Sequence, residues 1–594
     1  MAAAAAAAAG AAGGGAFCCL GSSAPRSQQQ SQQEQEQEQS SHSKTSRMRC
    51  LLALAAASAS AQTTRYLLDN QWKFLLLGAA PGPCANPSDF NISFDNRQCM
   101  SLEAAAYAND EAACLAACCA DSTCDLYQWC PPGAACSPSP SCWIGKAAGG
   151  CNGPVPNTWH SKGRTPLPPP PPGPGTGGCT DPNCNPATDD SSWRALTLPH
   201  DFVVEGNFTP TAIMSHGYLP LGQGWYRKHL TIPASAAGTV MYLDFDGTQS
   251  ANVVYLNGYY VGAHNSGYTP SRYFLNASTV NFGAENLLAV FVDGTKPDGW
   301  WYDGAGIYRH VWLTTIANTG AYLGPEGIYA PSNVSGAITW SGGQPMGTGL
   351  LTPSVEVWSN ASTPTPFTIA LTVLDASGAA VATGSGSGTA APNAVTLWTP
   401  STPGPVLTIP SATLWHLVEA PLKPALYTLI TALSVAGAEV QTKNTTFGIR
   451  RTAWDAATGF YLNDVHTKIL GTANHQDYGG MGVAFPDHLQ WNRVAKLKEI
   501  GVNGWRTAHN PPTPSLLDAM DELGMVCWDE NHRNGQFDQV PLLVRRDRNH
   551  PSVVIWCACP LESAQGAPAW AAHFIRCLLL THNISHAHTH SSSP

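Results

Sequence analysis

"RVAKLKEIGVNGWRTAHNPPTPSLLDAMDELGMVCWDEN", residues 493–531, decides the fold. Within it "RVAKLKEI" and "SLLDAMDEL" place their apolar residues three and four apart, the spacing of one helix face. Between and after them, "GVNGWRTA" and "GMVCWDE" are apolar runs too short to be helices. Strand-length runs separated by helix-length segments cannot pair as hairpins; they predict parallel strands joined by crossover helices. Working outward, "TKILGTA" (467–473) and the rest of the helical pattern "LQWNRVAKLKEI" precede the stretch, and "SVVIWCA" (552–558) follows it. Four strands of this kind in succession predict part of a (β/α) barrel.

Polar residues gather just past the ends of these strands: His475 and Asp477 after the first, Arg506, His509 and Asn510 at the second, Asp529 and Glu530 at the third. In a barrel all such ends open on one face, where the side chains converge on one ligand. Any one of them, taken alone, reads more readily as a surface or capping residue. Three consecutive strands ending in acid, imidazole or guanidinium read as a site.

Upstream the texture is different. Residues 193–313 hold short alternating runs, "GWYRKHLTI", "TVMYLDFDG", "ANVVYLNGYYVG", "NLLAVFVDG" and "IYRHVWLTTI", punctuated by Asn-Gly and Asp-Gly. Period-two alternation with such turns predicts an antiparallel sandwich. Residues 320–448 continue with Thr/Val-rich runs such as "FTIALTVLDASG" and "LYTLITALSVAG", a second sandwich of immunoglobulin type.

Nearer the start, 12 of the 19 cysteines lie between Cys84 and Cys184, the density of a small disulfide-held module. Zinc is the alternative, but that region has a single histidine, His160, and lacks paired Cys-x-x-Cys knuckles. One helix is expected there, over "LEAAAYANDEAACLAACCA" (102–120), and "TPLPPPPPPGPGTGG" closes the module as a semi-rigid spacer. Residues 1–47 are poly-Ala, Gly and Gln/Glu tracts and are set aside from the fold. From Met48, basic residues flank an apolar run ending Ala59-Ser60-Ala61, the pattern of a secretory signal. Sequons at Asn91, Asn207, Asn276, Asn333, Asn360, Asn444 and Asn583 agree with a glycosylated, secreted or extracellular protein, in the cell wall or an endomembrane lumen. Only 12% of the 594 residues are charged and the net charge is -10, which argues against nucleic acid or anionic lipid as partner; no run is long enough to span a membrane.

These stretches resemble a known family. "SWRALTLPHDF", "GWYRKHL", "LDFDGTQSANVVYLNGYYVGAHNSGYTP" and "WYDGAGIYRHVWL" are similar to the sugar-binding jelly roll of glycoside hydrolase family 2. "ATLWHLVEAPLKPALYTLITAL" and "FGIRR" resemble its immunoglobulin-like domain; "GFYLNDVHTKILGTANHQDYGGMGVAFP", the opening quotation and "RDRNHPSVVIW" resemble the start of its catalytic barrel. The Asn-His-Gln-Asp form is similar to β-galactosidase-like members. The cysteine cassette with "STCDLYQWC" and "CWIG" resembles PAN/apple modules, and a disulfide-stapled insertion is the equal alternative.

The resemblance implies a multidomain β plus α/β chain: a jelly roll from 62–83 and 190–317, a Cys-rich insertion at 84–165, a Pro/Gly-rich linker at 166–189, and an immunoglobulin-like sandwich at 318–450. The N-terminal half of a (β/α)8 TIM barrel follows at 451–556, strands one to four only, then a non-family tail at 557–594; the signal occupies 48–61. It further implies hydrolysis of terminal β-galactosides in oligo- or polysaccharides by a retaining mechanism, which needs two carboxylates about 5 Å apart. His475, Asp477, Arg506, His509 and Asn510 would contact sugar or hold the carboxylates, with Asp529 and Glu530 on the pocket floor. Trp301 and Trp556 are candidate sugar platforms, with buried core tryptophan as the alternative.

The family's acid is the Glu of Trp-Ser-x-x-Asn-Glu. Laid on Trp556, that motif puts Pro560 and Leu561 where Asn and Glu belong, and Glu562 stands one residue late. After Trp556 there is one Glu and no Asp, so the nucleophile is absent from this sequence. The expectation is therefore a chain that departs from the family pattern after about residue 556, or a catalytically inactive carbohydrate-binding protein. Family members with magnesium use a Glu-x-His that "NHRNGQ" lacks, and no cofactor or metal site is expected; the terminal "HAHTH" reads as a flexible tail.

Overall fold

A computed structural model describes residues 63–77, short elements between 92 and 163, and residues 178–295, 301–400, 407–417, 419, 421–532 and 539–557. The low-complexity start, the signal segment, Asn91, Asn583, Glu562 and the tail after 557 lie outside the described residues.

Two antiparallel sheets face each other in the first domain. Strands Trp72–Leu77, Arg194–Leu196, Gln223–Thr231, Glu285–Asp293, Ala251–Leu256 and Tyr259–His264 make one; Thr64–Leu67, Val311–Ile316, Val240–Phe245 and Ser271–Phe274 make the other. Alternation assigns the faces. Leu288, Val290 and Val292 enter the shared core with Trp72, Phe74, Leu243 and Leu313, while Ala289 and Phe291 point the other way. That second face is covered by Cys184 and Trp193, held down by Arg227, which is fully buried beneath them. Its Nε donates to Asp190 Oδ2 at 2.7 Å and its other nitrogens to the carbonyls of Asn183, Asn185 and Thr188. The linker expected over 166–189 thus ends early: from 178 the chain is part of the jelly roll, because an apolar sheet face with a buried guanidinium needs acceptors from above.

In the Cys-rich segment the helix is Glu111–Ala120, shorter than expected. Glu103 and Ala104 pair instead with Ile144 and Trp143, a strand contact overriding helix propensity. Cys114 and Cys142 are bridged, as are Cys179 and Cys184. Sheets from 321–413 and 427–447 form the second sandwich around Leu323, Val357, Ile369, Leu371, Leu429 and Phe447.

The third domain holds four parallel strands, Gly471–Asn474, Gly504–Thr507, Val526–Glu530 and Val553–Cys557, paired in that order. Helices His488–Glu499 and Pro514–Leu523 cover one face, and a third helix, Gln539–Asp547, was not legible in the sequence. Its Pro541 and paired arginines obscure the apolar spacing. Val494, Trp505, Leu517, Met520 and Cys527 form the core between helices and sheet. Among the described residues no helix is long and apolar enough to cross a membrane.

Both sandwiches are tied to this sheet. From the jelly roll, Asp201 accepts from the Val483 amide at 3.0 Å and Arg309 donates to the Pro511 carbonyl at 2.9 Å. From the barrel, Arg545 pairs with both oxygens of Glu356, while Arg548 and Asn549 donate to the carbonyls of Glu326 and Ile328 at 2.9 Å.

Candidate functional site

The centre of the site is a carboxylate and a guanidinium on adjacent strands. Arg506 Nε and Nη2 donate to Glu530 Oε2 and Oε1 at 2.6 and 2.9 Å, a two-pronged pair. His509 Nδ1 lies 3.2 Å from the same Oε1 and 3.2 Å from Arg506 Nη2. Glu530 is 2% exposed and Arg506 28%, so the pair sits at the base of an opening with the guanidinium toward solvent. Trp528 lies beneath Arg506, 5.4 Å from ring centre to guanidinium carbon.

His475 and Asp477 follow the first strand. Arg493 Nη2 donates to the His475 carbonyl at 2.7 Å and fixes that turn. Burial holds the His475 imidazole below its usual range, with Asp477 opposing the shift, so the ring is neutral at neutral pH. Asn510 stands behind this wall: its Nδ2 donates to Gln476 Oε1 and to the Pro511 carbonyl, both at 3.2 Å, and Gln476 also receives Arg309.

Two expected residues turn away. Asp529 shares the face of Cys527, against the covering helices, and cannot line the pocket that Glu530 lines, because consecutive strand residues point to opposite faces. Burial, followed by the nearby Asp547, pushes its carboxyl far above the usual range, so it is neutral; the oxygens of Asp547 are taken by Arg546 at 2.6 Å. Trp556 likewise packs into the core with Trp505 and Leu517, which makes it a core residue and not a sugar platform. Glu562 lies outside the described residues.

The jelly roll supplies Trp301, which the sequence offered as a sugar platform, together with Tyr268 and Asp303, which sequence reading passed over. Trp301, 3% exposed, drives its ring among the strand-end histidines, with centroids 5.7 Å from His475, 5.3 Å from His509 and 6.3 Å from His532. So small an exposed area makes it a wedge, not a platform. Its Nε1 donates to Tyr268 Oη at 3.3 Å, Tyr268 donates to Asp303, and the Tyr268 ring stacks on His532 at 4.8 Å. Tyr268 and Asp303 lie inside two quoted motifs, "NSGYTP" and "WYDGAG"; loop residues that complete a barrel on another domain give no periodic signal.

The chain matches three family descriptions in succession: glycosyl hydrolases family 2, sugar binding domain, over residues 212–317; glycosyl hydrolases family 2 over 339–450; and glycosyl hydrolases family 2, TIM barrel domain, over 456–537. A beta-galactosidase of Bacteroides ovatus is 33% identical over 391 residues, 62% of this chain and 43% of that protein. A putative beta-glucuronidase of Formosa agariphila is 29% identical over 395 residues, 62% of this chain and 34% of that protein. The chain thus spans less than half the length of these curated relatives. Among solved structures, a family 2 glycosyl hydrolase from Bacteroides cellulosilyticus superposes with a TM-score of 0.58 at 28% identity, covering 64% of this chain and 49% of the other. A beta-glycosidase from Bacteroides vulgatus gives 0.57 at 26% identity, covering 67% and 50%.

Proposed function

Because the chain belongs to glycoside hydrolase family 2, we propose that the protein acts on terminal β-galactosides, binding the sugar at the strand-end face around Arg506, His509 and Glu530. The observation that carries this reading is the charge balance of that face. Glycosidase relatives divide between galactosides and glucuronides by name, and a glucuronide brings its own carboxylate. Here Arg506 is already neutralised by Glu530, Arg493 is opposed by Asp477, and His475 is held neutral. A neutral sugar suits these groups; an anionic one would meet the carboxylates of Asp477 and Glu530, with Arg506 already engaged by Glu530.

His475 and Asp477 would take sugar hydroxyls at the rim, Arg506 and His509 would donate deeper in, and Asn510 would hold the wall through Gln476. A retaining hydrolysis needs two carboxylates about 5 Å apart, one to attack the anomeric carbon and one to protonate the leaving oxygen. Glu530 does neither, since Arg506 engages both of its oxygens. Glu562 stands one residue out of register for the acid, and the residues after it hold no Asp or Glu to serve as nucleophile. The second reading, a secreted carbohydrate-binding protein without turnover, draws on that same engagement of Glu530.

The test is a comparison of chromogenic β-galactoside and β-glucuronide turnover by the native protein from culture medium. Galactoside turnover at least tenfold above glucuronide is expected. Glucuronide preference would refute the charge argument. Saturable galactoside binding without turnover would establish the second reading.

A further inference from the structure

We propose that Asp303 is a positioning residue of the barrel site, acting through Tyr268 on Trp301, and that Trp301 sets the stance of His475, His509 and His532. Three features of the jelly roll point to this. Asp303 is 1% exposed, and a carboxylate in such a place is costly unless hydrogen-bonded. One oxygen takes the Tyr268 hydroxyl, and the other lies 3.5 Å from Nε2 of His216, which is fully buried and held neutral by that burial. Tyr268 is in turn fixed twice, by this acceptor and by its stack on His532 at 27° between planes. Trp301 then hangs from the Tyr268 oxygen, with three imidazoles around its ring.

If the wall served packing alone, apolar residues would fill it without a buried acid. A hydrogen-bonded chain instead fixes ring rotation, and with it the position of every imidazole the ring touches. Ser266, two residues before Tyr268, reaches Gln539 of the third barrel helix at 3.2 Å, which sets the loop height against the same sheet. The jelly roll is then a working wall of the barrel site, and the ligand it would shape is the sugar of the reading above, on which this inference rests for its kinetic arm alone.

The experiment uses W301A, W301F, D303A and D303N in the full chain, without ligand. Carbethoxylation by diethyl pyrocarbonate is followed at His509 and His532 by peptide mass spectrometry, with thermal unfolding as the check on folding. Severalfold faster modification in W301A and D303A is expected, and a smaller rise in W301F, which keeps a ring but loses the Nε1 donor to Tyr268. Wild-type rates in folded W301A and D303A would overturn the proposal. If neither alanine variant folds, the isosteric D303N decides: faster modification of His532 supports the relay and an unchanged rate refutes it. On the chromogenic galactoside, D303N should raise KM several times more than it lowers kcat; equal loss of both would mean a merely structural role. A wild-type protein that neither binds nor turns over galactoside sinks the glycosidase reading, while the carbethoxylation result still decides this one.

Discussion

Asp529 and Glu530 are neighbours in sequence and opposites in environment. On the inner face of the sheet, Glu530 is buried but ion-paired with Arg506, whose part-exposed guanidinium faces the barrel mouth. On the helix face, Asp529 is sealed beside Asp547 and kept neutral. One residue along a strand separates a group that can organise a ligand from one that only packs. The difference teaches that strand parity, more than residue type, decides which acid serves a site.

The sharpest way to break the comparison is E530A. Leaving Arg506 without its carboxylate should cost about 2 kcal/mol, toward the low end for a broken charged hydrogen bond, because the guanidinium can turn to water. Galactoside affinity should fall with it, read by chemical denaturation and by titration. Retention of both would mean that the inner face holds no site. A smaller effect lies behind the sheet, where His550 Nδ1 lies 2.6 Å from Asp521 Oδ2 and its pKa is raised to about 9, against burial, by that carboxylate. The folded state holds this proton more tightly than the unfolded one. Its contribution is therefore full below about pH 6.5 and is lost as pH rises through about 9. The melting temperature should fall across that window, and H550Q should flatten the slope. An identical slope in H550Q would show that other groups carry it. The smallest effect belongs to D529N, which replaces a neutral acid by a neutral amide and should shift stability by less than about 1 kcal/mol near pH 6, with galactoside binding unchanged. A large loss of binding in D529N would erase the distinction between the two faces.

Much of this was legible in the sequence because it is periodic. The strand-helix alternation at 467–558 announces itself through apolar spacing, and the strand-end positions of His475, Arg506, His509 and Glu530 follow from it. What the sequence hid is not periodic. Asp529 and Trp556 sit at strand ends, yet parity turned both into the helix core. The segment 178–189 looks like linker by composition, and its fold depends on Arg227, about forty residues away, reaching its carbonyls. Trp301, Tyr268 and Asp303 come from loops of another domain, and only the folded contact shows that they meet the barrel histidines.

The seam between barrel and second sandwich is read largely through main-chain atoms. Arg545 and Arg548 end on the carbonyls of Pro325 and Glu326, and Asn549 takes the Ile328 carbonyl and the Ala330 amide. Main-chain acceptors do not change when a codon does. Apart from Glu356, Tyr329 under the Arg548 guanidinium, and Trp415 and Arg450, which donate to the carbonyls of Asp521 and Val553, the sandwich can therefore drift in sequence along this edge while keeping its grip on the barrel, whereas the short segment 545–549 is free to change at few of its positions. Substitutions should accumulate unevenly across the seam, freely on the sandwich side and sparsely on the barrel side.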